Sequence, residues 1–201
     1  MTYESLAGTS VSRDFVELPS QIMENWATDP AVLKMYARHY KTGEPIPDAL
    51  IAKLEKSATF GQGLATTEYL ASSILDMEYH TQTKPITGKA TDFERQAMEK
   101  AGLIAAITPR HSSTHFGHIF SGGYSAGYYS YIWSGVLDTD AFDQFKKTDL
   151  FDQEKAASFR NNILAKGDTE DPMILYKKFK GSEPSIEPLL RKRGLNTGKS
   201  L

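Results

Sequence analysis

Apolar residues recur at helical spacing along almost the whole chain, and no stretch alternates as a half-buried strand requires. Asp14 to Trp26 puts Phe15, Leu18, Ile22 and Trp26 on one stripe. Pro19 falls early in that helix, where its missing N–H costs least. Asp29-Pro30 caps a second helix carrying Val32, Leu33 and Tyr36. Gly43-Glu44-Pro45-Ile46-Pro47 reads as a turn, and Pro47-Asp48 opens a third helix through Leu50, Ile51 and Leu54 to about Phe60. Gly61-Gln62-Gly63 breaks the pattern. Leu64 to His80 then shows one apolar face: Leu64, Tyr69, Leu70, Ile74, Leu75 and Met77.

Further on, Thr91-Asp92-Phe93-Glu94 fits a capping box with Thr91 as N-cap, and its helix ends near Gly102. Leu103 to Phe120 is mixed, and Pro109 stops any helix there. After Gly122-Gly123 an aromatic helix is expected from about Tyr124 to Val136. Helices are also expected over Asp138–Lys147, Gln153–Lys166, Glu170–Lys180 and Ile186–Arg193, the last ended by Gly194. The tail Asn196–Leu201 reads as frayed. Repeats and low-complexity segments are absent from the sequence, and the expected fold class is all-α.

Composition narrows the chemistry. The 201 residues suffice for one sizeable domain or a compact part of a larger one. A hydrophobic fraction of 40% with 24% charged residues fits a globular chain rather than a disordered one. Net charge is −2, so no basic footprint for nucleic acid is present. No apolar run approaches membrane-spanning length, and Met1-Thr2-Tyr3-Glu4 does not read as a signal peptide. With no cysteine, disulfides and thiolate metal sites are excluded, and any metal must be held by histidine and carboxylates.

Two stretches carry candidate chemistry. In the first, Glu17 lies on the second turn of the expected helix, with Asp14 one turn earlier. A catalytic zinc takes three protein ligands, and a carboxylate from a separate helix can be the third. Asp14 could then accept a hydrogen bond from a ligand imidazole. From spacing alone, the stretch reads rather as an ordinary amphipathic helix with acids near its N-terminus. In the second stretch, Gly122-Gly123 offers a flexible hinge, and Tyr124, Tyr128 and Tyr131 follow at spacings that share one helix face. Such phenols can hold a peptide backbone or donate to an oxyanion, or they can simply pack. Tyr129 and Trp133 point elsewhere and read as core.

The run Gly8-Thr9-Ser10-Val11-Ser12-Arg13-Asp14-Phe15-Val16-Glu17-Leu18-Pro19-Ser20-Gln21-Ile22-Met23-Glu24-Asn25-Trp26 resembles the zinc-ligand helix of the thimet oligopeptidase family, closest to its bacterial peptidyl-dipeptidase branch. His118, Gly122, Gly123, Tyr124, Tyr128, Tyr129, Tyr131 and Trp133 resemble that family's substrate-binding loop and helix. Ala65–Met77 and Ser185–Leu190 are similar to it as well. The resemblance covers 1–195 and implies the C-terminal portion of a zinc peptidase catalytic domain. It implies Glu17 as third zinc ligand and Asp14 close behind the metal. His118 and Tyr124 would contact the substrate backbone, Tyr128 would be a further substrate contact, and Tyr131 would stabilise the tetrahedral oxyanion. The Gly122-Gly123 loop would close over bound peptide.

One departure is large. His-Glu-x-x-His, which supplies two zinc ligands and the general base, occurs nowhere in the 201 residues. By resemblance it belongs upstream of Met1. The chain is therefore expected to be a fragment, a truncated product or one part of a split protein. Zinc would belong to the intact enzyme, and the partners would be a peptide and the missing N-terminal part of the same domain. Dipeptides released from peptide C-termini are the expected products, by attack of zinc-activated water, and the isolated chain is expected to be inactive. The alternative is a catalytically inactive helical module that binds peptides. The cytoplasm is the expected compartment, with the periplasm as alternative. His111, His115 and His118 have metal-ligand spacing, but Pro109 and Gly117 oppose the regular helix such a trio needs. Arg110 could meet a substrate carboxylate or form a surface salt bridge.

Overall fold

The computed structural model describes residues 3–195, and the frayed tail expected at Asn196–Leu201 lies outside them. In chain order the α-helices are α1 (Leu18–Thr28), α2 (Pro30–Tyr36), α3 (Asp48–Ala58), α4 (Gln62–His80) and α5 (Ala90–Lys100). They continue with α6 (Gly117–Phe120), α7 (Ser130–Lys146), α8 (Gln153–Phe159), α9 (Pro172–Lys180) and α10 (Glu187–Lys192). Short 3₁₀ turns occupy Glu4–Leu6 and Ser113–His115, and a π-helical turn, Arg160–Leu164, continues α8. The only extended pairing among the described residues is an isolated bridge between Arg38 and Pro45, so the fold is all-α.

Two compact units divide the chain: Met1–Phe60 with Ile132–Leu201, and Gly61–Tyr131. The core of the first unit gathers Phe15, Leu18 and Ile22 with Leu137, Phe142 and Phe145 of α7, Phe159 of α8, and Leu175, Tyr176 and Phe179 of α9. Trp26 packs edge-on to Phe142 and Phe145 at centroid distances of 4.7 and 4.8 Å, and its indole N–H donates to the Leu150 carbonyl. Charged groups taken into this unit are partnered, as burial demands. Tyr176 donates to Asp140 Oδ2 at 2.6 Å, and Lys180 pairs with the same carboxylate at 2.7 Å. Asp138 accepts from Asn25 Nδ2 at 2.9 Å.

The expected stripe on α1 is the buried one, but the helix starts four residues later than its spacing suggests. Pro19 has no N–H to give the Phe15 carbonyl, and its ring would press on that group if the helix ran back through Asp14. The Phe15 carbonyl instead takes Leu18 N–H at 3.1 Å, and Glu17 becomes the N-cap residue rather than a second-turn position. The α2 start is as expected, with Asp29 accepting from Ala31 N–H at 2.9 Å. The break expected between Val136 and Asp138 does not exist: α7 is continuous, because Asp138 turns its carboxylate to Asn25 instead of capping a new helix. The Gln153–Lys166 helix is shorter, ending at Phe159 before the π turn, and the Glu170 helix starts at Pro172 because Asp171 caps it through Met173 and Ile174 N–H.

In the second unit Ala71 and Leu75 of α4, Ala97 and Met98 of α5, Phe116, Ile119 and Tyr128 form the core. Here the expected apolar face of α4 is largely the wrong one. Leu64, Leu70, Ile74 and Met77 are 52%, 39%, 41% and 43% exposed, whereas Ser72, Ser73 and Asp76 are buried. Ser72 and Asp76 go inside because they hold backbone of later segments, as described below, while Ser73 donates to the Tyr69 carbonyl of its own helix at 3.3 Å. The capping box at Thr91 is also absent. Lys89 is the N-cap residue with no side-chain cap, and Glu94 Oε2 accepts from Ser113 N–H at 2.6 Å and from the Ser112 hydroxyl at 3.3 Å. Glu94 thus ties α5 to the turn after Pro109 and is not available to its own helix start.

Candidate functional site

The aromatic segment of the second unit does not begin as a helix. Asp76, fully buried on α4, accepts from Ala126 N–H at 2.9 Å and from Tyr128 N–H at 2.8 Å. Its other close neighbour is His80 Nδ1 at 2.8 Å. Those two N–H groups are therefore spent on a carboxylate, and residues 124–129 form a turn in which Ala126 takes the left-handed φ of 52°. The helix from Tyr124 gives way to α7 starting at Ser130. Tyr69 on α4 adds a second tie, donating to the Tyr128 carbonyl at 2.7 Å.

Gly122-Gly123 has a definite steric task in place of hinge freedom. A Cβ on Gly122 would lie 2.9 Å from His118 Cα and 3.0 Å from its carbonyl oxygen, so the position excludes any side chain. Gly123 has φ 79°, which glycine adopts without cost. The Gly117 carbonyl takes Gly122 N–H at 2.8 Å and the His118 carbonyl takes Tyr124 N–H at 3.0 Å, closing α6 tightly. This closure sets His118 and Tyr124 side by side.

The turn brings the expected rings together by a route other than a shared helix face. The Tyr124 and Tyr131 rings stack at 5.2 Å, and Tyr128 stands edge-on to Tyr131 at 5.4 Å. His118 lies 6.0 Å from Tyr124, 5.5 Å from Tyr128 and 6.3 Å from Tyr131. His118, Tyr124 and Tyr131 are half-buried, so each has an accessible edge, while Tyr128 is only 3% exposed and Gly122 and Gly123 face solvent. Burial pushes the Tyr128 phenol up to about 12, against the opposing charge of Arg110. Tyr129 is 43% exposed and is not the core residue its position suggested, whereas Trp133 packs on the first unit's core as expected.

His111 joins this cluster, its ring 4.7 Å from His118 and 5.0 Å from Phe116. Its pKa is lowered first by burial and then by His118, Arg110 and His115, which favours a neutral imidazole. Its backbone N–H donates to the buried Ser72 hydroxyl at 3.0 Å, and Arg110 N–H to the Glu68 carbonyl at 3.0 Å. Sequence reading missed Asp76, Ser72 and Glu94 as positioning residues. The signal was there in Ser72-Ser73 and Asp76 breaking an otherwise apolar run, since such groups go inside only with partners.

In the first unit, Glu17 is half-buried and its Oε2 accepts from the Ser20 hydroxyl at 2.9 Å. Asp14 is half-buried too. Its carbonyl accepts from the Ser134 hydroxyl at 3.1 Å, and it lines a recess of about 290 Å³ with Phe15, Trp133 and Tyr176. No three His, Asp or Glu side chains converge on a metal-sized site among the described residues, and this holds for the His111, His115 and His118 trio. Zinc in a protein needs three or four such donors. The residues of this chain therefore do not fit a zinc ion by themselves, and Glu17 can offer one ligand at most.

The sequence profile of Peptidase family M3 matches residues 1–195. The chain belongs to this family. It is 41% identical over 196 residues to the dipeptidyl carboxypeptidase of Escherichia coli, covering 96% of this chain and 29% of that protein. It is 39% identical over 191 residues to oligopeptidase A of the same organism (93% and 28%), and 41% identical over 192 residues to the probable cytosolic oligopeptidase A of Arabidopsis thaliana (92% and 27%). The chain thus spans less than a third of the length of these relatives. Among the described residues no helix is long and apolar enough to cross a membrane.

Proposed function

We propose that this chain supplies the peptide-holding, C-terminal part of an M3 catalytic domain that cleaves short peptides, releasing dipeptides from their C-termini. The observation that carries this reading is the half-buried cluster of His118, Tyr124 and Tyr131, with rings 5.2 to 6.3 Å apart on a turn fixed by Asp76. His118 and Tyr124 hold the peptide backbone through hydrogen bonds. Tyr131 donates its phenolic hydrogen to the oxyanion that develops as water adds to the scissile carbonyl. Tyr128 packs edge-on against His118 and Tyr131 and, at 3% exposure, offers substrate only its edge. The Gly122-Gly123 turn lies at the solvent edge of the cluster and borders bound peptide. The name of the 41% identical E. coli relative supports dipeptide release over internal cleavage.

Glu17 contributes one carboxylate to a zinc site completed by residues outside this chain, with Asp14 behind it. On this reading the chain alone is inactive. Its further partner is the rest of the same catalytic domain, and the stripe of Leu70, Ile74 and Met77 at i, i+4 and i+7 on α4, each about 40% exposed, supports that. The same stripe counts against a self-sufficient peptide-binding module. The cytoplasm is the proposed compartment, in keeping with the name of the Arabidopsis relative. Reading the coding sequence ahead of the Met1 codon tests the proposal. An in-frame His-Glu-x-x-His about two dozen residues before Glu17 supports it. A stop codon or unrelated sequence there overturns it in favour of the binding module.

A further inference from the structure

Asp76 holds two backbone N–H groups, and both belong to the turn that it positions: Ala126 N–H donates to Oδ1 at 2.9 Å and Tyr128 N–H to Oδ2 at 2.8 Å. These bonds fix the turn to the carboxylate. They do not fix the carboxylate to α4, because the terminal torsion of an aspartate side chain is broad. The contact that ties it back to its own helix is His80, one turn on and the last residue of α4. His80 Nδ1 lies 2.8 Å from Asp76 Oδ1 and 2.9 Å from the Asp76 carbonyl oxygen.

A carboxylate and a carbonyl are acceptors with no hydrogen to give, so Nδ1 carries the hydrogen and Nε2 is left for other partners. Oδ1 then accepts from both His80 and Ala126, which its two lone pairs allow. A quarter of the His80 side chain is exposed, against 1% for Asp76, and its ring faces Phe120 of α6 at 6.2 Å. The same short helix carries His118.

The turn needs this hold. Ala126 takes a φ of 52°, a left-handed conformation that a residue with a Cβ keeps only when its surroundings impose it. The imposing group is the Asp76 carboxylate. When that group swings, Ala126 relaxes and Tyr128 N–H goes with it. The Tyr131 ring then loses its spacings of 5.2 Å to Tyr124 and 5.4 Å to Tyr128.

We propose that His80 is a positioning residue for the peptide-holding cluster: by donating Nδ1–H to Asp76 it locks the carboxylate that shapes residues 124–129, and so sets the tyrosine rings for the peptide backbone. It acts through Asp76 and touches no substrate itself. The inference rests on the proposed function and adds to it a residue outside the cluster.

The test uses the 201-residue chain and tetra-alanine, titrated by calorimetry at a temperature where circular dichroism shows each variant folded. His80→Leu keeps an apolar side chain in place and removes the donor. His80→Asn puts an amide N–H where Nδ1 stands. His80→Leu is expected to raise Kd on the order of tenfold, the scale of one hydrogen bond to a charged acceptor, and to speed amide exchange at Ala126 and Tyr128. His80→Asn is expected to recover most of the affinity. A role confined to helix stability would lower the melting temperature and leave Kd of the folded chain unchanged. That result overturns the inference while the peptide-holding reading stands. A His80→Asn chain as weak as His80→Leu overturns it too, since the donor is then not what matters. Heteronuclear NMR of the wild-type imidazole needs no variant: hydrogen on Nδ1 is expected, and a bare Nδ1 overturns the inference. If tetra-alanine does not bind the wild-type chain, the peptide-holding reading falls, and the role of His80 falls with it.

Discussion

Removing the Asp76 carboxylate should disassemble the aromatic cluster from a distance. Asp76 is fully buried and accepts two backbone N–H groups, Ala126 at 2.9 Å and Tyr128 at 2.8 Å. Hydrogen bonds to a charged acceptor contribute about 1.5–3 kcal/mol each, and both donors would be left without a partner in Asp76→Ala. Loss of one member of such a buried constellation costs about 3–5 kcal/mol in all. Asp76→Asn keeps one acceptor oxygen and should lose about half of that. Urea unfolding by linear extrapolation reads the loss, and amide hydrogen exchange at Ala126 and Tyr128 reads where it falls. As a control, Asp143→Ala removes the partner of Arg191 in a largely exposed pair and should cost less than about 1 kcal/mol. The reasoning is refuted if Asp76→Ala costs no more than this control. It is also refuted if the Ala126 and Tyr128 amides exchange as slowly as before.

Other expectations follow from the same geometry. Gly122→Ala should destabilise by about 1–3 kcal/mol in thermal or urea melts, because its Cβ would strike His118 backbone atoms at 2.9 and 3.0 Å. Glu94→Ala should cost about 1–3 kcal/mol, since Ser113 N–H loses its acceptor. Thr91→Ala, by contrast, should lie within about 0.5 kcal/mol, the reverse of what a working capping box requires. The Tyr128 phenol titrates at about 12 against an ordinary 10.0, so the unfolded chain releases that proton first and stability is lost as pH rises from 10 to 12. Phenolate absorbance of wild type against Tyr128→Phe isolates the late-titrating ring. His111 is lowered from 6.5 by burial and by His118, so the unfolded chain takes up the proton first as pH falls, and stability declines below that value. An NMR titration midpoint for His111 at or above 6.5 contradicts this.

The all-helical type and the place of most helices were legible because period-3.6 patterning survives even where local detail fails, but α6 was not expected and α7 was expected as two helices. The α1 stripe of Phe15, Leu18 and Ile22 is buried as its spacing requires, though Pro19 moves the start of the helix. Errors fell where a side chain spends its hydrogen bonds on a partner distant in sequence. Asp76 takes the N–H groups that a helix at Tyr124 would need, Glu94 leaves its capping position for Ser113, and Asp138 turns to Asn25 rather than starting a helix. Such choices depend on partners far off in sequence, which periodicity does not encode. The membership of His118, Tyr124, Tyr128 and Tyr131 in one cluster could be read from the residues, but the turn that assembles it could not. The α4 face was misread because apolar content marks a buried face only when something is present to cover it.

The central claim is that this chain holds peptide and gives one metal ligand, while the rest of the catalytic machinery lies in residues it does not contain. Its most direct test joins the chain behind an upstream M3 segment carrying His-Glu-x-x-His and follows dipeptide release by mass spectrometry. Chelator-sensitive release that is absent from the chain alone, and is abolished by Glu17→Ala and strongly slowed by Tyr131→Phe, is the predicted result. Zinc-dependent turnover by the chain alone, or turnover by the joined protein that is indifferent to Glu17→Ala, contradicts the account.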